Sequence, residues 1–173
     1  MYNLIADDFD SSCFLQNVRE ESNKQGLKHL QILILFEILG EKNINLASVQ
    51  RGISVIQQIL RRKKVLLILD EVAKRKQLKA FAGRSDWFGP DNRVIITTRD
   101  EQLLKSHEVE RTYELKELNT NDSLQLLIWN AFKRENFDPS YEDVLERVAT
   151  YASSLPLALE VIGSNLVGKS VEE

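Results

Sequence analysis

Two short runs of apolar residues end in polar residues suited to phosphate chemistry, and this pattern constrains the fold more than any other feature of the chain. Val65–Leu69 leads directly into Asp70 and Glu71, and a second run at residues 94–96 leads into Thr97-Thr98-Arg99. Continuous runs of β-branched residues and leucine favour strands that are covered on both faces, as in parallel α/β sheets. Because ligands of such sheets bind beyond the carboxyl ends of the strands, the pattern predicts a nucleotide-binding edge.

The polar residue types at this edge match the needs of a magnesium-bound nucleotide. Asp70 offers a Mg²⁺ ligand, Glu71 offers a carboxylate that orients water, and Arg99 offers a cation for phosphate. A solvated strand end would carry the same acids, and a charge beside a helix would carry the same arginine. The residues by themselves therefore leave a functional and a purely structural interpretation open.

A nucleotide-binding fold normally contains a Gly-rich phosphate loop, but the one literal match to its pattern is unsuitable. Residues 163–170 fit Gly-x-x-x-x-Gly-Lys-Ser, yet only three residues follow them. That is too short for the helix whose amide groups bind phosphate. Pro156 instead suits the first position of a helix, and apolar residues recur along one helical face after it. We therefore expect Gly163 to be a close-packing position and Gly168 a C-terminal stop.

The composition narrows the class of protein. Of 173 residues, 43% are hydrophobic and 28% are charged, as in ordinary globular domains. A net charge of −3 provides no basic field for nucleic acid. The single cysteine, Cys13, excludes an internal disulfide and fits a reducing compartment. No apolar stretch approaches the roughly 18 residues of a membrane span, and residues 1–20 do not resemble a signal peptide. These features predict a cytoplasmic protein, with the nucleus as an alternative.

The order of the sequence patterns predicts an α/β half followed by a helical half. Strands that alternate with helices imply right-handed crossovers and a parallel sheet. We place the domains at residues 1–117 and 118–173, because three helices with short connections suggest a small bundle in the second half. The predicted strands lie at residues 12–18, 65–69, 94–96 and 112–115, and the predicted bundle helices begin near residues 121, 140 and 156.

Four sequence motifs follow one another along nearly the whole chain. They read Phe-Leu-Gln-Asn-Val-Arg-Glu-Glu-Ser at residues 14–22, Val-Leu-Leu-Ile-Leu-Asp-Glu-Val at 65–72, Asn-Arg-Val-Ile-Ile-Thr-Thr-Arg-Asp at 92–100 and Leu-Pro-Leu-Ala-Leu-Glu-Val-Ile-Gly-Ser at 155–164. In this order they closely resemble the NB-ARC region of plant intracellular immune receptors of the class with an N-terminal TIR domain. The resemblance implies an α/β, P-loop NTPase-like domain of the STAND class. In this chain its first strand and P-loop are missing, and an incomplete ARC1-like helical subdomain follows.

The resemblance implies specific roles on the phosphate side of an ADP or ATP site. Asp70 is then the Walker B acid that holds Mg²⁺ once nucleotide is bound. Glu71 stands where the family usually has an aspartate that orients water. Arg99 corresponds to the sensor arginine near the terminal phosphate, with Thr98 beside it. We expect Asp70 and Glu71 to carry any catalysis, and Thr98 and Arg99 to contact nucleotide.

On the adenine side, the resemblance assigns Pro156 and its neighbour Leu157 to nucleotide binding. Pro156 matches the proline of the Gly-Leu-Pro-Leu motif, which packs on the adenine. Its suitability for a helix start is a structural explanation that needs no ligand. This chain departs from the motif at Ser154, where the family usually has glycine.

The resemblance implies a signalling switch more than a turnover enzyme. Family members hold ADP at rest and exchange it for ATP when activated, so a longer protein would show at most weak ATPase activity. The alternative is a remnant or adaptor that binds no nucleotide and acts through protein–protein contacts, by self-association or with other receptor domains. Direct nucleotide titration separates the two.

The resemblance also predicts a defect in the sheet. In the family, the strand that leads into the phosphate loop lies between the strands at residues 94–98 and 112–115. A chain that begins after that strand should leave a gap at the centre of its sheet. Unpaired backbone groups would then line the gap, and we expect a poorly soluble or molten protein.

Overall fold

The computed structural model describes residues 5–41, 43–133, 139–152 and 154–169, and the chain forms two compact units within it. The first unit spans Met1–Thr112 and combines a parallel sheet with helices. The second spans Tyr113–Glu173, and its described residues contain helices and irregular segments but no strand. The predicted α/β class is therefore confirmed. Among the described residues, no helix is long and apolar enough to cross a membrane.

The described part of the first unit contains three strands and five α-helices. All three strands are parallel and lie side by side in the order β1-β2-β3. The strands are β1 (Ser11–Leu15), β2 (Val65–Leu69) and β3 (Arg93–Ile96), and the helices are α1 (Val18–Lys24), α2 (Leu27–Leu39), α3 (Val49–Leu60), α4 (Arg75–Phe81) and α5 (Glu101–Ser106).

β2 lies between the other two described strands, and it is buried, as its uninterrupted apolar sequence predicts for a strand covered on both faces. All five of its residues are buried, and Leu67 lies level with Cys13 on one side and Val94 on the other. The buried Asn92 fixes the entry to this strand. Its side-chain oxygen accepts a hydrogen bond of 2.6 Å from the Val65 amide, and its side-chain nitrogen donates to the Leu60 carbonyl at the end of α3. One amide therefore satisfies two buried backbone groups.

Local sequence signals set most of the helix ends in the first unit. α2 stops at Gly40, which adopts a left-handed conformation with φ of 71°, as expected of a C-terminal glycine. Ser48 caps α3 by accepting a hydrogen bond of 3.2 Å from the Arg51 amide. The first strand is shorter than the predicted residues 12–18. It ends at Leu15 because Asn17 turns the chain with φ of 48°, and Val18 already begins α1.

The predicted strand at residues 112–115 does not form. These residues have no regular secondary structure, and Tyr113 and Leu115 are each 88% exposed. The prediction of a central gap in the sheet is wrong for the same reason, because the described strands are contiguous and β3 is an edge strand. A strand pattern as short as this one needs a neighbouring strand to pair with, and none lies beyond β3 in the described ranges.

The described residues of the second unit form a small helical bundle. Its apolar core consists of Leu127, Leu145, Ala149, Ala152 and Leu159. The first bundle helix starts slightly before the predicted residue 121, because Asn119 caps it and accepts a hydrogen bond of 2.9 Å from the Asp122 amide. The helices are α6 (Thr120–Phe132), α7 (Glu142–Tyr151) and α8 (Pro156–Leu166), with a short 3-10 turn at Pro139–Tyr141.

Gly163 is a close-packing position, as predicted. A methyl group placed on it would lie 2.7 Å from the Asn130 side chain and 3.0 Å from the Leu127 carbonyl, both on α6. The literal P-loop match therefore begins inside α8, and Gly168 follows the helix with φ of 77°. Its last residue, Ser170, lies outside the described residues. This helical context agrees with the rejection of that match as a phosphate loop.

Candidate functional site

The carboxyl ends of β2 and β3 meet at one edge of the sheet. Their backbone ladder continues past both strands, since the Thr97 amide donates to the Leu69 carbonyl at 3.0 Å and the Val72 amide donates to the Thr97 carbonyl at 2.9 Å. This pairing places the residues that follow β2 next to those that follow β3. They surround an open cavity of about 360 Å³, which is lined by Arg19, Asp70, Glu71, Val72, Ala73, Thr97, Thr98, Arg99 and Asp100.

The Asp70 carboxylate is oriented mainly by one neighbour. Thr97 donates its hydroxyl hydrogen to Asp70 Oδ1 at 2.8 Å. The second oxygen, Oδ2, receives only a long contact of 3.5 Å from the Asn17 amide. The carboxylate is therefore held in place while one oxygen keeps its capacity to accept another ligand.

These oxygen ligands fit Mg²⁺ only in company with phosphate. Mg²⁺ requires six oxygen ligands, and in nucleotide sites it takes one or two carboxylates together with phosphate oxygens and water. In the described ranges, no group of three or more His, Cys, Asp or Glu residues could hold a metal ion. Asp70, with the Thr97 hydroxyl beside it, offers one such carboxylate.

Glu71 lies between two arginines. Its carboxylate oxygens are 3.4 Å from Arg19 Nη2 and 3.5 Å from Arg99 Nη2. Its backbone is left-handed, with φ of 54°, and its amide donates to the Thr97 hydroxyl oxygen at 2.9 Å. Both carboxylate oxygens are thus engaged by cations, which differs from the free water-orienting acid that the sequence motif implies.

Arg19 is a site residue that the sequence analysis missed. Its amide donates to the Glu71 carbonyl at 3.1 Å, and the preceding Val18 amide donates to the Asp70 carbonyl at 2.8 Å. The first turn of α1 is therefore tied to the end of β2, and the Arg19 side chain lines the cavity. The signal was present in the sequence, because Arg19 follows β1 and the same edge rule applies to all parallel strands.

The predicted phosphate residues Thr98 and Arg99 both line the cavity, in different ways. The Thr98 hydroxyl accepts a hydrogen bond of 3.1 Å from the Asp100 amide, and Asp100 in turn caps α5. The hydroxyl thus stabilises the turn into the helix. The Arg99 side chain is 86% exposed and is available to a ligand from solvent.

The predicted adenine-side residues belong to the second unit. Pro156 is the first residue of α8, as its structural explanation requires, and its neighbour Leu157 is 72% exposed. Ser154 has a left-handed backbone with φ of 55°, a conformation that favours glycine. This geometry explains why glycine suits this position of the motif. The cavity therefore unites four of the six predicted residues, Asp70, Glu71, Thr98 and Arg99.

Comparison with known proteins agrees with the α/β fold. The family model of the NB-ARC domain matches residues 2–136. The disease resistance protein RPV1 of Vitis rotundifolia is 39% identical over 174 residues, which cover 100% of this chain and 12% of that protein.

Two further relatives carry similar names. The TMV resistance protein N of Nicotiana glutinosa is 40% identical over 159 residues, which cover 91% of this chain and 14% of that protein. The disease resistance protein RPP4 of Arabidopsis thaliana is 36% identical over 140 residues, or 81% of this chain and 12% of that protein. The chain thus spans between 12% and 14% of the length of these three relatives. The extent of the family match, together with the parallel α/β sheet, shows that the chain belongs to the NB-ARC family.

Proposed function

We propose that this chain is an adenine-nucleotide switch module of a plant intracellular immune receptor, in which exchange of ADP for ATP controls defence signalling. Membership of the NB-ARC family and the disease resistance proteins among its relatives support this proposal. The Asp70 edge of the sheet is the part of the module that faces the terminal phosphates and their magnesium ion. We expect the protein to work in the cytoplasm or the nucleus.

The observation that carries the proposal is the state of the Asp70 carboxylate. Thr97 orients it through one oxygen, while the other keeps an open acceptor position beside the exposed Arg99. A bound Mg²⁺ would supply positive charge that neutralises the terminal phosphates. Asp70 would hold the ion, and Arg99 would contact the terminal phosphate. A site of this kind distinguishes ATP from ADP, because only ATP has the third phosphate.

The same geometry supports a switch more than a turnover enzyme. Glu71 is the candidate for orienting water, but both of its carboxylate oxygens are paired with arginines. A carboxylate held in this way is poorly placed to orient water, because both of its oxygens already face guanidinium groups. Hydrolysis therefore requires Glu71 to be released first, and we expect at most weak ATPase activity in a longer protein.

We expect the isolated chain to bind ADP or ATP weakly or not at all. In nucleotide-binding folds, backbone amides of a Gly-rich loop and its lysine supply the main contacts to phosphate. Each charge-assisted hydrogen bond of this kind contributes roughly 1.5–3 kcal/mol. In the described ranges, no such loop accompanies the Asp70 edge. Arg99 and a metal held by Asp70 would then provide most of the remaining affinity.

The test is a titration followed by NMR and by calorimetry. MgATP, ATP with a chelator, and ADP are added to the isolated chain, and amide shifts are followed at Glu71 and at residues 97–100. We expect small shifts at these amides that depend on Mg²⁺ and are lost in Asp70→Asn. Asp91→Asn is the matched control, because Asp91 is an exposed acid in the turn before β3 and does not line the cavity.

Two outcomes would contradict parts of the proposal, and a third would favour the alternative function. Low-micromolar affinity for either nucleotide would show that the expectation of weak binding is wrong. Shifts that persist unchanged in Asp70→Asn would exclude Asp70 as the metal ligand. If neither nucleotide affects these amides at any concentration, the alternative function gains support, namely an adaptor that acts through protein–protein contacts.

A further inference from the structure

Arg19 and Glu71 form an ion pair inside the cavity that the proposed function leaves unexplained. The Glu71 carboxylate touches Arg19 Nη2 at 3.4 Å through one oxygen and Arg99 Nη2 at 3.5 Å through the other. Two arginines from different parts of the chain therefore converge on one anionic group. Arg19 comes from the first turn of α1, and Arg99 follows β3.

These two ion pairs are weak. Charge-assisted hydrogen bonds between arginine and carboxylate are normally about 2.7–2.9 Å long, and both contacts are clearly longer. The arginine side chains are also 51% and 86% exposed, so that water and salt screen the attraction. A competing anion with more charge and more acceptor oxygens could therefore displace the carboxylate at little cost.

Phosphate is an anion of this kind. Like a carboxylate, it offers pairs of oxygens to the fork of a guanidinium group, but it carries more negative charge and more acceptors. The Glu71 carboxylate thus occupies the position between two guanidinium groups that a phosphate would fit. Backbone hydrogen bonds hold Arg19 at this place, since its amide and that of Val18 are bonded to the end of β2.

We propose that Arg19 is a second phosphate-binding residue of this site and that Glu71 is the counter-ion which an entering phosphate displaces. This inference rests on the proposed function for its physiological ligand, the terminal phosphate of a nucleotide. Displacement leaves the Glu71 carboxylate without its cations, so phosphate binding also releases the acid that is the candidate for orienting water. Binding and activation of that acid are thereby coupled.

The test uses pyrophosphate without Mg²⁺, because this ligand requires the arginines and needs no metal at Asp70. The complete 173-residue chain is titrated to millimolar pyrophosphate at constant ionic strength, and the amides of Arg19, Glu71 and Arg99 are followed by NMR. We expect Glu71→Gln to bind pyrophosphate about threefold to tenfold more tightly than the wild-type chain, the gain expected from the loss of two exposed competing ion pairs.

A second substitution, made in the Glu71→Gln background, tests whether Arg19 contacts phosphate directly or only pairs with Glu71. If Arg19 binds phosphate, Arg19→Gln in that background weakens pyrophosphate binding by about fivefold or more. If Arg19 only neutralises Glu71, its removal there changes nothing, and the inference is overturned. Arg19→Lys in the same background should give an intermediate affinity, because lysine keeps the charge but not the fork.

The exposed pair Arg84–Asp86, with a separation of 3.1 Å, provides matched controls in the same unit. Arg84→Gln and Asp86→Asn alter charge equally, involve no residue that lines the cavity, and should leave pyrophosphate binding unchanged. If substitutions in the Arg84–Asp86 pair change pyrophosphate binding as much as those in the Arg19–Glu71 pair, net charge explains the result and the inference is overturned. The absence of pyrophosphate binding in every variant would also overturn it. A further outcome separates the two proposals. If pyrophosphate binding depends on the arginines but Asp70→Asn does not change the binding of MgATP, the inference is supported and the proposed function is contradicted. Thermal melting of each variant checks that it remains folded.

Discussion

The Thr97 hydroxyl donates a hydrogen bond of 2.8 Å to Asp70 and accepts one of 2.9 Å from the Glu71 amide. A single hydroxyl group thus joins the end of β3 to both acids that follow β2. It orients the carboxylate of the first acid and supports the left-handed backbone of the second, whose φ is 54°. Thr97 therefore positions the two acids to which the motif assigns metal binding and catalysis.

Replacement of Thr97 by valine should disturb both acids. Thr97→Val keeps the shape of the side chain but removes the hydroxyl, so the Glu71 amide loses its acceptor and the Asp70 carboxylate loses its donor. We expect the free energy of unfolding to fall by about 1–2 kcal/mol, as measured by urea denaturation, and Mg²⁺-dependent nucleotide shifts to weaken. Thr97→Ser keeps the hydroxyl and is the control. Equal losses in the two variants would show that the methyl group matters as much as the hydrogen bonds, contrary to this prediction.

Replacement of Ser154 by glycine should stabilise the second unit. Ser154 adopts φ of 55°, where a side chain is strained and glycine is not. We expect Ser154→Gly to raise the free energy of unfolding by about 1 kcal/mol in thermal or urea denaturation. Ser154→Ala should give no such gain, because alanine suffers the same strain. A gain with alanine, or none with glycine, would mean that the backbone conformation differs at this position.

Cys13 should make stability fall at alkaline pH. The thiol is fully buried in β1, and burial, followed by the nearby Glu37, raises its pKa well above the ordinary value of about 8.5. A group whose folded pKa is raised contributes its stability fully below the unfolded pKa. Above that value the unfolded chain ionises first, and stability falls by about 1.4 kcal/mol per pH unit.

The measurement is urea denaturation of the wild-type chain and of Cys13→Ala between pH 7 and pH 10. We expect the wild-type chain to lose about 2 kcal/mol of unfolding free energy relative to Cys13→Ala across this range, because the alanine variant has no thiol to ionise. The folded thiol should also resist iodoacetamide at pH 8, since the thiolate is the reactive form. Rapid alkylation without unfolding would contradict the burial of Cys13.

Local sequence signals predicted those elements that depend only on their own residues. β2 was predicted at its observed bounds because five consecutive apolar residues suit a strand buried on both faces. The helix ends at Gly40, Ser48 and Asp100 likewise follow from local signals, because capping depends on residues close in sequence. The predicted strand at residues 112–115 does not form, because a strand needs a neighbouring strand to pair with. The local sequence pattern does not show whether such a neighbour is present.

The site was predicted in part for a similar reason. The strand-end rule and the family motifs gave Asp70, Glu71, Thr98 and Arg99, and the structure brings them into one cavity. The rule did not distinguish Thr97 from Thr98, because only the register of β3 against β2 shows which hydroxyl reaches Asp70. It also gave no role to Arg19, whose position depends on the backbone bonds between α1 and the end of β2.

The two edges of the sheet should differ in amide exchange. At β1, the Glu37 carboxylate accepts a hydrogen bond of 3.3 Å from the outward-facing Phe14 amide, so that this amide has a partner at the edge. At β3, the amide and carbonyl of Thr97 both bond to the β2 side. Because residues alternate along a parallel strand, the amides of Val94 and Ile96 point to the outer edge, where the described part of the chain provides no strand.

We therefore expect the Val94 and Ile96 amides to exchange with deuterium much faster than those of Ile95 and of β2, as followed by NMR. Phe14 should show intermediate protection that falls in Glu37→Gln, a variant that keeps the size of the side chain but weakens its acceptor. An open edge of this kind favours association between copies, which is the remaining physical reason to expect low solubility. Slow exchange at Val94 and Ile96 that disappears on dilution would show that a second copy pairs with β3. Slow exchange at every concentration would show that another segment of the chain covers the edge, contrary to this prediction.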